Sequence, residues 1–380
     1  MFRIIRLTIL IIIFFSTLIN GQSQGISWKE RIYFEGIPHY GYVIPHHDFI
    51  AYFIDEHIKG YEFTIGLHTP GNQKWQRTFN YPNVGIGFYH SGLGNQEVFG
   101  KINALYYYVE RLYRNQDRRF NFGNKFSIGM AYVTKRHDII EDNYNMAIGS
   151  NFNVYLHYSI EATYRLTEHV TAKIGAGLTH TSNGNYREPN KGLNLITGTA
   201  SLQYNLYAYH PDKNKIWVDN TTDQPVNQFI INGGFGRKQN SMLNNTIYTP
   251  IFLSMEYEHR VNESVWLGPA ICVYRDNSIN KDLELVGDSA VDENTKIRIS
   301  THLSAEINMG KMSFVFQPGV YIKNSYTKIR IISNRLGCRY ALTDHILGSV
   351  MIKAHWPAIA DFVEWGICYR WSGYSKKISK

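Results

Sequence analysis

The stretch that decides the fold is Phe152-Asn153-Val154-Tyr155-Leu156-His157-Tyr158-Ser159-Ile160-Glu161-Ala162-Thr163-Tyr164. Even positions carry Phe, Val, Leu, Tyr, Ile, Ala and Tyr, whereas odd positions carry Asn, Tyr, His, Ser, Glu and Thr. A period of two places each set on one side of a β-strand. The pattern returns at 297–307, where Ile297, Ile299, Thr301, Leu303, Ala305 and Ile307 oppose Arg298, Ser300, His302, Ser304 and Glu306. It returns again at 361–371, where Val363, Trp365, Ile367, Tyr369 and Trp371 oppose Glu364, Gly366 and Arg370. Strands of a soluble sandwich also alternate, but they usually run about five or six residues. Runs this long suit a tilted crossing of a bilayer, with Trp and Tyr at strand ends in the interfacial girdles. In lipid every backbone N–H and C=O needs a partner, so the sheet has to close. The expectation is an all-β, transmembrane antiparallel barrel.

Composition agrees. The 380 residues include 28 Tyr, 20 Phe and 31 Gly, with 18% charged and 14% aromatic residues. Such a chain is too aromatic and too weakly charged to be disordered. A mean hydropathy of -0.30 excludes a polytopic helical membrane protein, which needs repeated apolar spans of about 20 residues. Cys272, Cys338 and Cys368 are too few and too scattered for a disulfide framework or a metal cluster. Cys338 and Cys368 could meet across strands, but the parity of Cys338 favours apolar packing.

Residues 1–21 read as a cleaved secretory signal, with Arg3 and Arg6 before the apolar run Leu7 to Ile19 and small Gly21 at the cleavage point. Removing those two arginines takes the net charge from +8 to +6 (8 minus 2). That excess suits a surface near anionic lipid phosphates; nothing points to nucleic acid. Beyond the three strands quoted, alternation marks candidates near 82–90, 98–109, 124–134, 169–182, 193–206, 228–237, 248–260, 264–275, 311–323, 334–342 and 345–356. These give about 14 strands in a range of about 12 to 16, even as single-chain barrels require. Residues 22–380 are then one barrel domain, in which 22–68 is a plug or one more hairpin. Tight turns such as 166–168 would face the periplasm and polar loops such as 183–192 the outside. The long Arg-rich connection 110–123 fits that topology least well.

The chemistry concentrates in Leu178-Thr179-His180-Thr181-Ser182-Asn183-Gly184 and in Pro189-Asn190-Lys191-Gly192-Leu193-Asn194. Strand 169–182 has Val170, Ala172, Ile174, Ala176 and Leu178 on its even face, so His180 and Ser182 continue the lipid-facing row. Asn194 opens the corresponding row of the next strand, ahead of Ile196. Polar groups aimed at hydrocarbon are costly unless they pair or carry out chemistry. His and Ser two apart on a strand are roughly 6–7 Å apart at Cβ, within reach of an imidazole–hydroxyl hydrogen bond. That bond activates a Ser nucleophile, and Asn can orient the imidazole as the third member. Backbone N–H groups at Asn183 and Gly184 and the side chain of Asn190 are the oxyanion donors to consider. The plainer reading makes the pair hydrated rim residues beside a turn.

The spacing His180-x-Ser182-Asn183-Gly184 followed by Pro189-Asn190-x-Gly192-x-Asn194 resembles the signature of the outer-membrane lipid A 3-O-deacylases, the PagL-type acyloxyacyl hydrolases. The preceding Ala147-Ile148-Gly149-Ser150-Asn151-Phe152-Asn153 resembles their larger members. The resemblance implies Ser182 as nucleophile, His180 as general base, and removal of an ester-linked acyl chain from lipid A of the lipopolysaccharide outer leaflet. It implies no cofactor and no metal. Founding-type members carry Glu as third member, where this chain has Asn194; Glu188 in the loop is the alternative acid. Those members are also eight-stranded. Arg187 and Lys191 are candidates to steer lipid A phosphates, the alternative being solvated loop charges. A non-catalytic porin or hydrophobic-solute transporter is the alternative function, and an esterase acting on another outer-leaflet lipid a third. His39, His46, His47 and Asp48 look like metal ligands at first sight, but adjacent strand residues point apart and no ligand spacing recurs.

Overall fold

Every strand candidate read from the alternation is present, and the ambiguous segment before them supplies one more hairpin, 32–44 with 58–68. The computed structural model describes residues 27–113, 118–209, 225–242, 245–285, 292–325, 331–355 and 359–374. Residues 1–21, expected to be a cleaved signal, lie outside the described residues.

The strands close into two rings rather than one. The first comprises β1 (Ile32–Ile44), β2 (Ile58–His68), β3 (Asn83–Gly92), β4 (Lys101–Leu112), β5 (Phe120–Val133), β6 (Phe152–Arg165), β7 (Val170–Ser182) and β8 (Leu193–Asn205), closed by pairing of β8 with β1. The second comprises β9 (Pro225–Arg237), β10 (Ile251–Arg260), β11 (Val265–Arg275), β12 (Ile297–Met309), β13 (Met312–Gln317), β14 (Gly319–Lys323), β15 (Asn334–Ala341), β16 (Ile346–His355) and β17 (Ile359–Tyr374). Pairing of β17 with β9 and of β11 with β12 closes it. Both β13 and β14 pair with β12 on either side of Pro318, whose missing N–H interrupts a ladder. Together they make one strand, so this ring also has eight positions. The single ring of about 14 strands expected from the sequence is thus replaced by two side-by-side barrels. Alternation fixes which face a residue takes, but ring size depends on which strand the last one pairs with.

An eight-stranded barrel leaves interior room for little beyond side chains, and both lumens are filled. In the first, Lys125 pairs with Glu62 at 2.7 Å, and Lys173 with Glu110 at 2.6 Å and Glu35 at 3.1 Å. In the second, Arg335 pairs with Glu364 at 2.7 Å, Arg339 with Glu306 at 2.6 Å and Arg298 with Asp276 at 2.6 Å. Such charges are tolerated only because each meets an opposite one. Outside, Ile160, Ile174, Leu202, Leu303, Trp365 and Ile367 are all more than half exposed. A soluble monomer rarely shows so continuous an apolar surface; in a bilayer it is the lipid-facing wall. Among the described residues no helix is long and apolar enough to cross a membrane.

The rings touch along their length. At one end lies the short helix α1 (Lys74–Thr78), where Lys74 reaches Glu263 at 3.3 Å and Met309 packs against the cluster of Leu67, Trp75, Val84 and Val109. Midway, Phe126 meets Phe314 edge-on at 5.3 Å between centroids. At the other end the β7–β8 connection lies against the second ring.

Candidate active site

Strand pairing assembles the polar row. His180 lies directly opposite Leu156 of β6 and Asn194 of β8, and Asn194 lies opposite Ile44 of β1. Thr179 and Thr181 are fully buried in the lumen, while Leu178 and Ile196 are 46% exposed outside. His180 and Ser182 therefore emerge on the outer face, as parity requires. Ser182 is nevertheless only 6% exposed, because the chain returns over it at Gly192. A Cβ on Gly192 would stand 3.0 Å from His180 Cε1 and 3.2 Å from Ser182 Cβ, at a φ of +74°. Only Gly accepts both the dihedral and the approach.

Ser182 Oγ and His180 Nε2 are 3.0 Å apart, and His180 Nδ1 and Asn194 Oδ1 are 2.7 Å apart. The row continues past the residues read from the sequence. Asn194 Nδ2 lies 3.3 Å from His46 Nδ1, and His46 Nε2 lies 2.7 Å from the carbonyl oxygen of Lys191. His46 looked like a possible metal ligand in the sequence; its place beside Asn194 follows from ring closure, which no local pattern reveals.

The connection 183–192 is tied within itself. Asn183 N–H donates to Asn190 Oδ1 at 2.8 Å, and Asn183 Nδ2 donates to the Arg187 carbonyl at 2.8 Å. Of the expected oxyanion donors, the Asn183 N–H is therefore engaged inside the loop. The Gly184 N–H and Asn190 Nδ2 have no partner among the described residues. Glu188 Oε2 accepts from Asn190 N–H at 3.2 Å, and burial raises its carboxyl above the ordinary value, with Lys191 pulling the other way. No bond joins it to His180, whose Nδ1 is met by Asn194 instead. The Arg187 guanidinium lies 5.7 Å from the Tyr186 ring centroid, and Lys191 is exposed.

Two further segments hold this loop. Gly192 N–H donates to the Ala147 carbonyl at 2.9 Å, and a Cβ on Gly149 would meet the Glu188 and Pro189 backbone at 2.8 Å. From the second ring, Gln239 Oε1 accepts from Glu188 N–H at 3.1 Å and Gln239 N–H donates to the Asn185 carbonyl at 3.1 Å. Asn185 Nδ2 donates to the Asp361 carbonyl at 3.2 Å, and a Cβ on Gly184 would stand 2.4 Å from Val363 Cγ2. The second ring also holds a Ser–His pair, Ser300 Oγ and His302 Nε2 at 2.8 Å, but on its lumen face, where Ser300 is fully buried.

Family comparison divides the chain as the rings do. Residues 59–205 match the model for lipid A 3-O-deacylase (PagL), and residues 227–373 match the acyloxyacyl hydrolase C-terminal domain. No curated protein matches the chain. Among solved structures, Neisserial surface protein A is 11% identical with a TM-score of 0.30, covering 46% of this chain and 97% of that one. CdiB from Acinetobacter baumannii is 7% identical with a TM-score of 0.20, covering 90% of this chain and 60% of its own. A mutant porin of Rh. blastica is 8% identical with a TM-score of 0.17, covering 90% and 99%. These likenesses are slight beside the strand pairings themselves. With the two family models together spanning most of its length, the chain belongs to the PagL lipid A 3-O-deacylase family.

Proposed function

We propose that the protein is an outer-membrane ester hydrolase that removes an ester-linked acyl chain from lipid A, with Ser182 as nucleophile and His180 as general base. The observation that carries this reading is the row Ser182–His180–Asn194 on the outer wall of the first ring, with contacts of 3.0 and 2.7 Å. An acyl ester of the surrounding leaflet reaches such a site sideways, without leaving the membrane.

In this mechanism Ser182 Oγ attacks the ester carbonyl carbon while His180 Nε2 takes its proton. The negative charge that develops on the carbonyl oxygen is met by the Gly184 N–H and Asn190 Nδ2, the donors left unengaged. His180 then returns the proton to the sugar oxygen as the C–O bond breaks, leaving an acyl-Ser182 intermediate. Water, activated by the same imidazole, releases the fatty acid and restores the serine. Asn194 orients the imidazole but brings no charge to stabilise imidazolium, so its contribution is one of geometry and tautomer. Lys191 and Arg187 bind lipid A phosphate at the rim. The filled lumens favour this outer-wall chemistry over a solute pathway.

The test expresses wild type, Ser182→Ala and His180→Ala in a lipid A-producing host and records lipid A mass spectra. Loss of a hydroxyacyl chain with the wild type alone supports the reading. Identical spectra for all three refute it, and loss of phospholipid acyl chains instead assigns a different outer-leaflet ester.

A further inference from the structure

We infer that His46 is a positioning residue for this reaction, holding the Asn194 amide so that His180 keeps the tautomer that can activate Ser182; the inference rests on the function proposed above. The argument starts from the Lys191 carbonyl, which can only accept a hydrogen bond. His46 Nε2, 2.7 Å away, must therefore carry its proton. In a neutral imidazole the other nitrogen is then a bare acceptor, and Asn194 Nδ2 donates to it across 3.3 Å. That fixes the amide with Oδ1 towards His180, 2.7 Å from Nδ1. His180 Nδ1 is in turn the protonated nitrogen, and Nε2 presents its lone pair to the Ser182 hydroxyl 3.0 Å away. Five groups thus have a single consistent donor order.

Turning the Asn194 amide over reverses it. Two amide hydrogens would then face His180 Nδ1, the imidazole proton would move to Nε2, and Ser182 could no longer hand its proton to that nitrogen. A carboxylate at position 194 presents oxygen on both sides and has no wrong face, so it needs no keeper; an amide does. The fold supplies one because Ile44, the last residue of β1, pairs with Asn194, which places the residue two positions beyond it at the outer edge of the amide. The ring of His47 lies tilted beside that of His46, with centroids 5.2 Å apart.

The experiment uses the full chain in native outer membranes and two readouts: the rate of Ser182 labelling by a fluorophosphonate probe and the rate of lipid A deacylation. His46→Ala is expected to slow both about 10-fold, equivalent to about 1.4 kcal/mol. His46→Gln, whose amide offers one donor and one acceptor, should recover most of that loss. In an Asn194→Asp background, His46→Ala should change either rate less than about 2-fold, since the carboxylate has no orientation to lose. Heat-modifiable migration on gels confirms that each variant is folded. Undiminished labelling of His46→Ala overturns the inference alone, as does an equal loss in both backgrounds or no gain from Gln. Failure of wild-type Ser182 to react at all, with unchanged lipid A, overturns the hydrolase reading and this inference with it.

Discussion

Alanine at Gly184 is the sharpest probe of how the second ring bears on the site. The φ of +63° costs an alanine about 1–2 kcal/mol. Its Cβ would stand 2.4 Å from Val363 Cγ2, more than 1 Å inside the roughly 3.5–4.0 Å at which carbon atoms rest. Overpacking of this kind costs about 1–3 kcal/mol, and a surface loop relieves it by moving. A displacement of about 1 Å at the oxyanion donors lowers turnover about 100-fold. Val363→Ala removes the obstructing methyl, so Gly184→Ala/Val363→Ala should keep only the dihedral strain and run about 10-fold below wild type. Val363→Ala alone should run within about 3-fold of it. The assay is a time course of lipid A deacylation by mass spectrometry, normalised to folded protein on heat-modifiability gels. A double variant no faster than Gly184→Ala, or a Gly184→Ala enzyme as fast as wild type, would refute the contact between loop and second ring.

Three other outcomes follow from the geometry. Asn194→Ala should slow deacylation about 10- to 100-fold by freeing the imidazole, whereas Glu188→Gln should change it less than about 3-fold, because Glu188 bonds Asn190 N–H and not His180; steady-state rates of the two variants decide between them. Gln239→Ala removes the acceptor of Glu188 N–H and should cost about 1 kcal/mol of loop stability, seen as a few-fold loss of rate and faster proteolysis within 183–192. Lys173→Met leaves Glu35 and Glu110 buried without their cation and should destabilise the first ring by about 3–5 kcal/mol, measurable as a lower urea midpoint while the second ring keeps its own.

Much of this architecture was legible in the alternation. Glu161 turns into the lumen and Ile160 outward, as their parity demands, and the same rule put His180 and Ser182 on the outer wall. The placement of Asn194 beside His180 was legible because it starts the matching row of the neighbouring strand. Ring size was not legible, since it depends on β1, whose Gly36, Pro38 and Gly41 blur the pattern. Gly41 is there because β8 passes close: a Cβ would lie 1.9 Å from the Ile196 carbonyl oxygen. His46 was hidden for the same reason, since it meets Asn194 across 148 residues of sequence and only after β1 has closed the ring. The engagement of Asn183 N–H by Asn190 was equally invisible, because it belongs to a loop whose path is set by packing against Ala147, Gly149 and the second ring.

A tethered neighbour also restricts traffic in the leaflet. Because the second ring stands against Phe126 on β5 and against the loop at Gly184 and Asn185, it would keep diffusing lipids from that flank of the serine. The opposite flank, over β8 and β1, presents Ile196, Tyr42 and Ile44, each more than a third exposed. Under the proposed function, a glycolipid drifting in the plane would dock from a single compass direction, with its headgroup azimuth already chosen before any bond is made.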